Sequence, residues 1–128
     1  MRLNAGIITP HLQETKEFYT SVLNFGIAYE SDWFILFDTP GKKDQLAFLQ
    51  PEHPSQQPIF KSKFDGRGIF LTIEVDDVLF EYVRVKSFQV PVEVELRKEE
   101  WGDHHFSIID PNGIGIDIVQ YSKPTDPL

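Results

Sequence analysis

Residues 101–120, WGDHHFSIIDPNGIGIDIVQ, contain two strand-like runs on either side of a tight turn. Asp110-Pro111-Asn112-Gly113 has the composition of that turn, because proline presets its own φ and Asn-Gly tolerates positive φ. Asp110 is suited to accept hydrogen bonds from backbone amides further along the turn, so we interpret it as structural and not as catalytic. The stretch therefore predicts a β-hairpin with strands at 105–109 and 115–120.

The same order of elements occurs twice along the chain. Before the hairpin, the pattern predicts a strand at 68–75, a helix at 78–87 that Asp76 or Asp77 caps, and a strand at 92–96. Half a chain length earlier it predicts a strand at 3–8, a helix at 12–23 and strands at 27–31, 33–38 and 45–49. We interpret this repeat of strand, helix and three strands as a duplicated module.

Apolar spacing within each predicted helix indicates a buried side. In the first helix Phe18, Val22 and Leu23 share a stripe, and Gly26 is suited to the left-handed residue after the helix. In the second helix the predicted buried stripe is Leu79, Tyr82 and Val83. The polar, proline-containing segment 51–67 is interpreted as a linker between the modules, with a lid over a pocket as the alternative.

Composition bounds the class of protein. The chain has 128 residues, of which 41% are hydrophobic and 25% are charged, as expected for one globular domain. Its formal charge of −8 without a basic cluster argues against a nucleic-acid partner. The absence of cysteine excludes disulfides and thiolate catalysis. Without a signal peptide or a long apolar run, we expect no membrane association and a cytoplasmic location.

Three segments carry a family resemblance: ITPHLQETKEFYTSVLNFGI (8–27), FLTIEVDDV (70–78) and the hairpin WGDHHFSIIDPNGIGIDIVQ. In this order they resemble the vicinal oxygen chelate superfamily, which includes glyoxalases, bleomycin-resistance proteins and extradiol dioxygenases. The resemblance implies an α+β fold in which two βαβββ modules, about 1–50 and 68–121, form a curled eight-stranded mixed sheet with a concave cleft and the helices outside. It also implies a homodimer.

Active members of that family hold one divalent metal ion on four inward side chains, usually His and Glu. The matching positions here are Asn4 or Ala5, Gln45, Phe70 and Asp117, so a single carboxylate remains. One carboxylate cannot hold a catalytic ion, and we therefore predict that the protein has no metal cofactor. The alternative is one divalent ion bound by His105, Glu95 and Asp117, or more broadly by either His104 or His105 together with Glu93, Glu95 and Asp117. Because adjacent strand residues face opposite sides, only one of the two histidines can take part.

We predict a metal-independent protein that binds a small molecule in its cleft. The candidate ligand-binding residues are Trp33, Gln45, Phe70, Trp101, His105 and Asp117, whereas Phe48 and Phe106 are interpreted as core. An acidic rim of Asp32, Glu95, Glu99, Glu100 and Asp103 favours a cationic or aromatic ligand, or is simply a solvated face. Two alternatives stay open, a metal-dependent lyase or dioxygenase that uses Asp117 and a histidine, and a non-catalytic structural or regulatory module.

Overall fold

The computed structural model describes residues 1–122, which form eight strands and two α-helices. In chain order these are β1 (Ala5–Ile8), α1 (Leu12–Glu17), β2 (Gly26–Glu30), β3 (Phe34–Asp38), β4 (Gln45–Leu49), β5 (Phe70–Glu74), α2 (Val78–Lys86), β6 (Val92–Lys98), β7 (His104–Ile109) and β8 (Gly115–Gln120). The predicted α+β class with two βαβββ modules is confirmed. Neither helix of this described part is long and apolar enough to cross a membrane.

Each module forms its own four-stranded sheet. The strand orders are β1-β4-β3-β2 and β5-β8-β7-β6, with the first two strands parallel and the other pairs antiparallel. Contacts divide the chain into residues 1–67 and a second unit that begins at Gly68. The segment 51–67 therefore lies with the first module, where the backbone N–H of Phe64 donates to the carbonyl of Ile8 at 2.9 Å.

The core of the first module surrounds Tyr19, which is fully buried. Its ring lies 5.0 Å from the ring of Phe48 and 5.4 Å from that of Phe37, centroid to centroid. Strand register places both phenylalanines on the same face of the first sheet. Phe48 is thus a core residue, as the sequence predicts.

The first helix ends differently from its prediction. Regular α-helix stops at Glu17, and a π-helical segment, Phe18–Val22, continues it. The left-handed residue after it is Asn24, with φ 61°, and not Gly26, which lies in β2. Asparagine tolerates the positive φ that this position requires.

The core of the second module lies between its sheet and α2. Phe106, Ile108 and Ile116 are fully buried on one face of the sheet, and Val78 and Val85 are fully buried on the helix. The predicted stripe of Leu79, Tyr82 and Val83 is wrong in two positions, because Leu79 is 56% exposed and Val83 is 63% exposed.

The start of α2 explains which of its sides is buried. The carboxylate of Asp77 caps the helix by accepting from the backbone N–H of Phe80 at 3.1 Å. The N–H of Val78 donates to the side-chain oxygen of Gln120 on β8 at 3.0 Å, which holds the first turn against the sheet. Residues at i, i+4 and i+7 from Val78 consequently face inward, and these are Val78, Tyr82 and Val85.

Candidate functional site

The second sheet has one face that α2 does not cover. Strand register places Thr72 of β5 and Ser107 of β7 on either side of Asp117 of β8, so the three side chains point to the same face. Phe70 lies on this face two residues before Thr72 and is 70% exposed. We call this surface the open face.

A histidine links two carboxylates on the open face. His105 Nδ1 lies 2.7 Å from Asp117 Oδ1, and His105 Nε2 lies 2.7 Å from Glu99 Oε2. The hydroxyl of Ser107 also donates to Asp117 Oδ1, at 2.9 Å. Arg97 closes the group, since its Nε lies 3.0 Å from the same Glu99 oxygen. We call Glu99, His105 and Asp117 the carboxylate–histidine bridge.

The bridge favours the protonated imidazole. A neutral imidazole has a single N–H and can donate to one carboxylate only, whereas the cation donates to both. Hydrogen bonding to Glu99, and then to Asp117, raises the pKa of His105 despite its partial burial. The same contact with His105 lowers the pKa of Glu99.

One carboxylate oxygen of Asp117 makes no hydrogen bond within the described residues. Its contacts with His105 and Ser107 both use Oδ1, and Oδ2 has no hydrogen-bond partner within residues 1–122. Beside it lies a hollow of about 250 Å³. We call it the Phe70 hollow; its lining residues are Phe70, His105, Ser107, Gly115, Ile116 and Asp117.

A second hollow of about 120 Å³ lies on the other side of Asp117. We call it the Trp101 hollow; its lining residues are Thr72, Trp101, Asp103, His105, Asp117, Val119 and Tyr121. The indole N–H of Trp101 donates to Asp103 Oδ2 at 2.9 Å, and the backbone N–H of Ser122 donates to Asp103 Oδ1 at 3.0 Å. The hydrogen bond from the Ser122 amide is the main cause that lowers the pKa of Asp103.

Four of the six predicted ligand-binding residues come together on the open face: Phe70, Trp101, His105 and Asp117. The other two belong to the first module. Trp33 stacks on the His53 ring at a centroid distance of 4.0 Å, and Gln45 donates from its side-chain amide to Asp38 Oδ1 at 2.9 Å. Phe106 is fully buried, as predicted, on the opposite side of the sheet.

Glu95 does not join His105 and Asp117. It accepts a hydrogen bond from the hydroxyl of Tyr82 and lies 3.7 Å from the Lys86 ammonium, and both partners belong to α2. Glu99 stands at His105 instead, because irregular register in β6 between Val94 and Arg97 changes which acids face this side.

Sequence reasoning also missed Ser107 as a partner of Asp117. The signal for it is present, since a hairpin closed by the turn at 110–113 pairs residue 107 with residue 117. Glu99 has no comparable signal, because a strand irregularity is not encoded in the alternation of apolar residues.

The side chains on the open face do not fit the usual metal site of the family that this chain resembles. Phe70 occupies a ligand position, and both nitrogens of His105 already face carboxylates. A divalent ion at this histidine would have to displace its proton and open the contact with Glu99. Within residues 1–122 no three His, Asp or Glu side chains are grouped so that they could hold a metal ion.

Comparison with known proteins adds a family and a fold. The family model for the Glyoxalase/Bleomycin resistance protein/Dioxygenase superfamily matches residues 3–118. No curated protein matches the chain significantly.

Solved structures share the architecture at low identity. A structure described as a conserved domain protein is 24% identical, with a TM-score of 0.78 over 95% of this chain and 100% of that chain. Lactoylglutathione lyase from Agrobacterium tumefaciens is 20% identical, with a TM-score of 0.75 over 94% and 92% of the two chains. A bleomycin-binding protein complexed with bleomycin is 18% identical, with a TM-score of 0.68 over 95% and 99%. At these identities the likeness concerns the fold alone.

Proposed function

Because the chain belongs to the glyoxalase/bleomycin resistance protein/dioxygenase superfamily, we propose that it binds a small aromatic amine on the open face of its second sheet, without a metal ion. The observation that carries the proposal is the free Oδ2 of Asp117 beside the exposed ring of Phe70. Small-molecule binding has a precedent on this fold in the bleomycin-binding protein complexed with bleomycin.

Charge on the open face favours a cation. Within residues 1–122, four carboxylates share this face with two groups that can carry positive charge, Arg97 and His105; the carboxylates are those of Glu74, Glu99, Asp103 and Asp117. The remaining negative charge attracts a protonated amine, whose N–H can donate to Asp117 Oδ2 in a charge-assisted hydrogen bond.

Shape and polarity favour an aromatic group next to that amine. Phe70 exposes most of its ring to water, and a second ring packed on it removes apolar surface from both. The volume of about 250 Å³ suits a one-ring molecule, since sites for drug-sized ligands are larger, at roughly 300 to 1,000 Å³.

Asp117 and Phe70 provide the test. N-methylphenethylamine combines one ring and one protonated secondary amine, and its affinity can be measured by isothermal titration calorimetry. We expect Asp117→Asn to weaken binding by about tenfold or more, the usual effect of losing a charge-assisted hydrogen bond. Phe70→Ala should weaken binding by about fivefold or more through lost ring contact.

Matched controls separate this site from general surface effects. Phe80 is a phenylalanine of comparable exposure, at 62%, and it lies on α2, so Phe80→Ala should leave the affinity within about twofold. If Phe80→Ala weakens binding as much as Phe70→Ala, the open face is not the site. If the amine does not bind at all, the proposal fails; if, in addition, no member of a panel of ligands raises the melting temperature, a non-catalytic structural or regulatory module is favoured.

Metal independence has its own test. We expect the same affinity for N-methylphenethylamine before and after exhaustive treatment with a chelator, because Asp117 and Phe70 would bind it directly. Stoichiometric nickel, zinc, iron or manganese in the purified protein, together with turnover of a hemithioacetal, would instead establish the metal-dependent lyase.

A further inference from the structure

We infer that the binding site continues past Asp117 to Trp101, so that its preferred ligand is an elongated amine with an aromatic group at each end. This inference rests on the function proposed above and specifies the class of ligand. Its basis is the arrangement of two hollows around one acceptor.

The Phe70 hollow and the Trp101 hollow are neighbours. They share His105 and Asp117, and they lie toward opposite ends of β8, at Gly115 and at Tyr121. Six residues separate these two positions, and strand geometry converts this to about 20 Å at 3.3 Å per residue. A ligand whose amine meets Asp117 can therefore extend in both directions along the strand.

Trp101 is an exposed aromatic residue that is held in place. Its side chain is 68% exposed, yet its one polar atom is occupied by the hydrogen bond to Asp103. The two faces of the indole are left for apolar contact. A ring that is fixed before the ligand arrives loses little conformational freedom on binding.

The turn that carries Trp101 is fixed as well. The backbone N–H of Glu99 donates to the carbonyl of Asp103 at 2.8 Å, and the N–H of Gly102 donates to the carbonyl of Glu99 at 2.9 Å. Gly102 has φ +102°, and a Cβ at this position would lie 2.9 Å from the Cβ of Ser122. Only glycine fits this close approach, which holds the turn against the chain that follows β8.

Tyr121 provides a second aromatic wall. It lines the Trp101 hollow and is 48% exposed. A planar group that enters this hollow therefore meets apolar ring surface from two residues, while Asp103 is already satisfied by Trp101 and Ser122. This end of the site selects an aromatic group and not a second cation.

The test compares one ring with two. Diphenethylamine carries a phenyl ring on each side of a protonated secondary amine, and N-methylphenethylamine has the same amine with one ring. By calorimetry on the intact protein we expect diphenethylamine to bind at least tenfold more tightly. Trp101→Ala should reduce its affinity to near that of the one-ring amine, while changing the affinity for the one-ring amine by less than twofold.

Two further variants make the result specific. Trp101→Phe should retain most of the gain, because it keeps a ring at the same place, and Phe80→Ala on α2 should change neither affinity. If diphenethylamine binds no more tightly than the one-ring amine, or if Trp101→Ala weakens both equally, the extended site is refuted. The proposed function then stands, provided that the one-ring amine still depends on Asp117 and Phe70. If neither amine binds, both proposals fail.

Discussion

His105 links two carboxylates that come from different parts of the chain. Its protonation state therefore affects the charge of the open face. Its partner on β8, Asp117, and its partner beyond β6, Glu99, each lie 2.7 Å from one of its nitrogens. Arg97 and Asp103 are further charged groups near His105. Loss of the imidazole proton would leave Glu99 or Asp117 facing a nitrogen lone pair, so the bridge and the charge of the open face change together.

The carboxylate–histidine bridge should make the folding stability depend on pH. Because the folded pKa of His105 is raised above 6.5, its contribution to stability is complete below that pH and is lost as pH rises through the folded pKa. Because the folded pKa of Glu99 is lowered below 4.5, its contribution is complete above that pH and is lost as pH falls through the folded pKa. The melting-temperature difference between wild type and His105→Gln should be largest between these two values and smaller at higher and lower pH.

The control for this series is His11→Gln, which removes an exposed histidine near Glu14 in the first module. Its effect on the melting temperature should be smaller than that of His105→Gln, because His11 contacts one exposed carboxylate and not two. A difference between wild type and His105→Gln that does not change with pH would contradict the bridge.

Asp110 shows why the structural role of some residues can be predicted directly from the sequence. Its Oδ1 accepts from the backbone N–H of Asn112 at 2.8 Å and of Ile114 at 2.9 Å, and Gly113 has φ 84°. All these contacts lie within four residues, so local composition determines them. The His105 to Glu99 contact depends instead on the register of β6, which composition does not determine.

At the scale of elements, the pattern predicted the eight strands and two α-helices that residues 1–122 form, but not which side of α2 is buried. The helix carries apolar residues on most of its circumference, including Leu79, Phe80 and Val83, all of which are exposed. Periodicity alone could not choose among the overlapping stripes. The contact from Val78 to Gln120, 42 residues away, makes that choice, and contacts at such a separation are visible only in the fold.

Two valines on α2 test the corrected stripe. Val85 is fully buried and Val83 is 63% exposed. Val85→Ala should lower the free energy of unfolding by about 2 kcal/mol, because it removes buried methyl groups and leaves a small cavity. Val83→Ala should change it by less than about 0.5 kcal/mol. Urea denaturation of both variants measures the difference, and equal effects would show that the originally predicted stripe contributes to the core.

At the scale of the whole molecule, the two modules keep the same strand order but different chemistry. The first module contributes Gln45, hydrogen-bonded to Asp38, where the family usually has a metal ligand. The second contributes Phe70 and Asp117 at the equivalent positions. The order of elements fixes the alignment, so the sequence alone assigns Gln45, Phe70 and Asp117 to these positions. The sequence did not predict that Asp117, the one carboxylate at these positions, is hydrogen-bonded to a histidine and a serine.

The oligomeric state of the chain can also be predicted and tested. We propose that the chain forms a homodimer, since twofold pairing is the commonest assembly of soluble oligomers. Multi-angle light scattering should give twice the chain mass of 14.8 kDa. A mass equal to one chain across the micromolar range would refute the dimer.

The two tryptophans give the protein a built-in optical readout. Trp33 stacks on the His53 imidazole in the first module, and Trp101 stands exposed at the end of the open face in the second. Their fluorescence therefore reports on separate regions, with quenching by a neighbouring imidazole at one and a change in water contact at the other. A Trp33→Phe protein would keep Trp101 as its single tryptophan, at the edge of the open face. Without any attached dye, its emission would test whether a small molecule reaches that face.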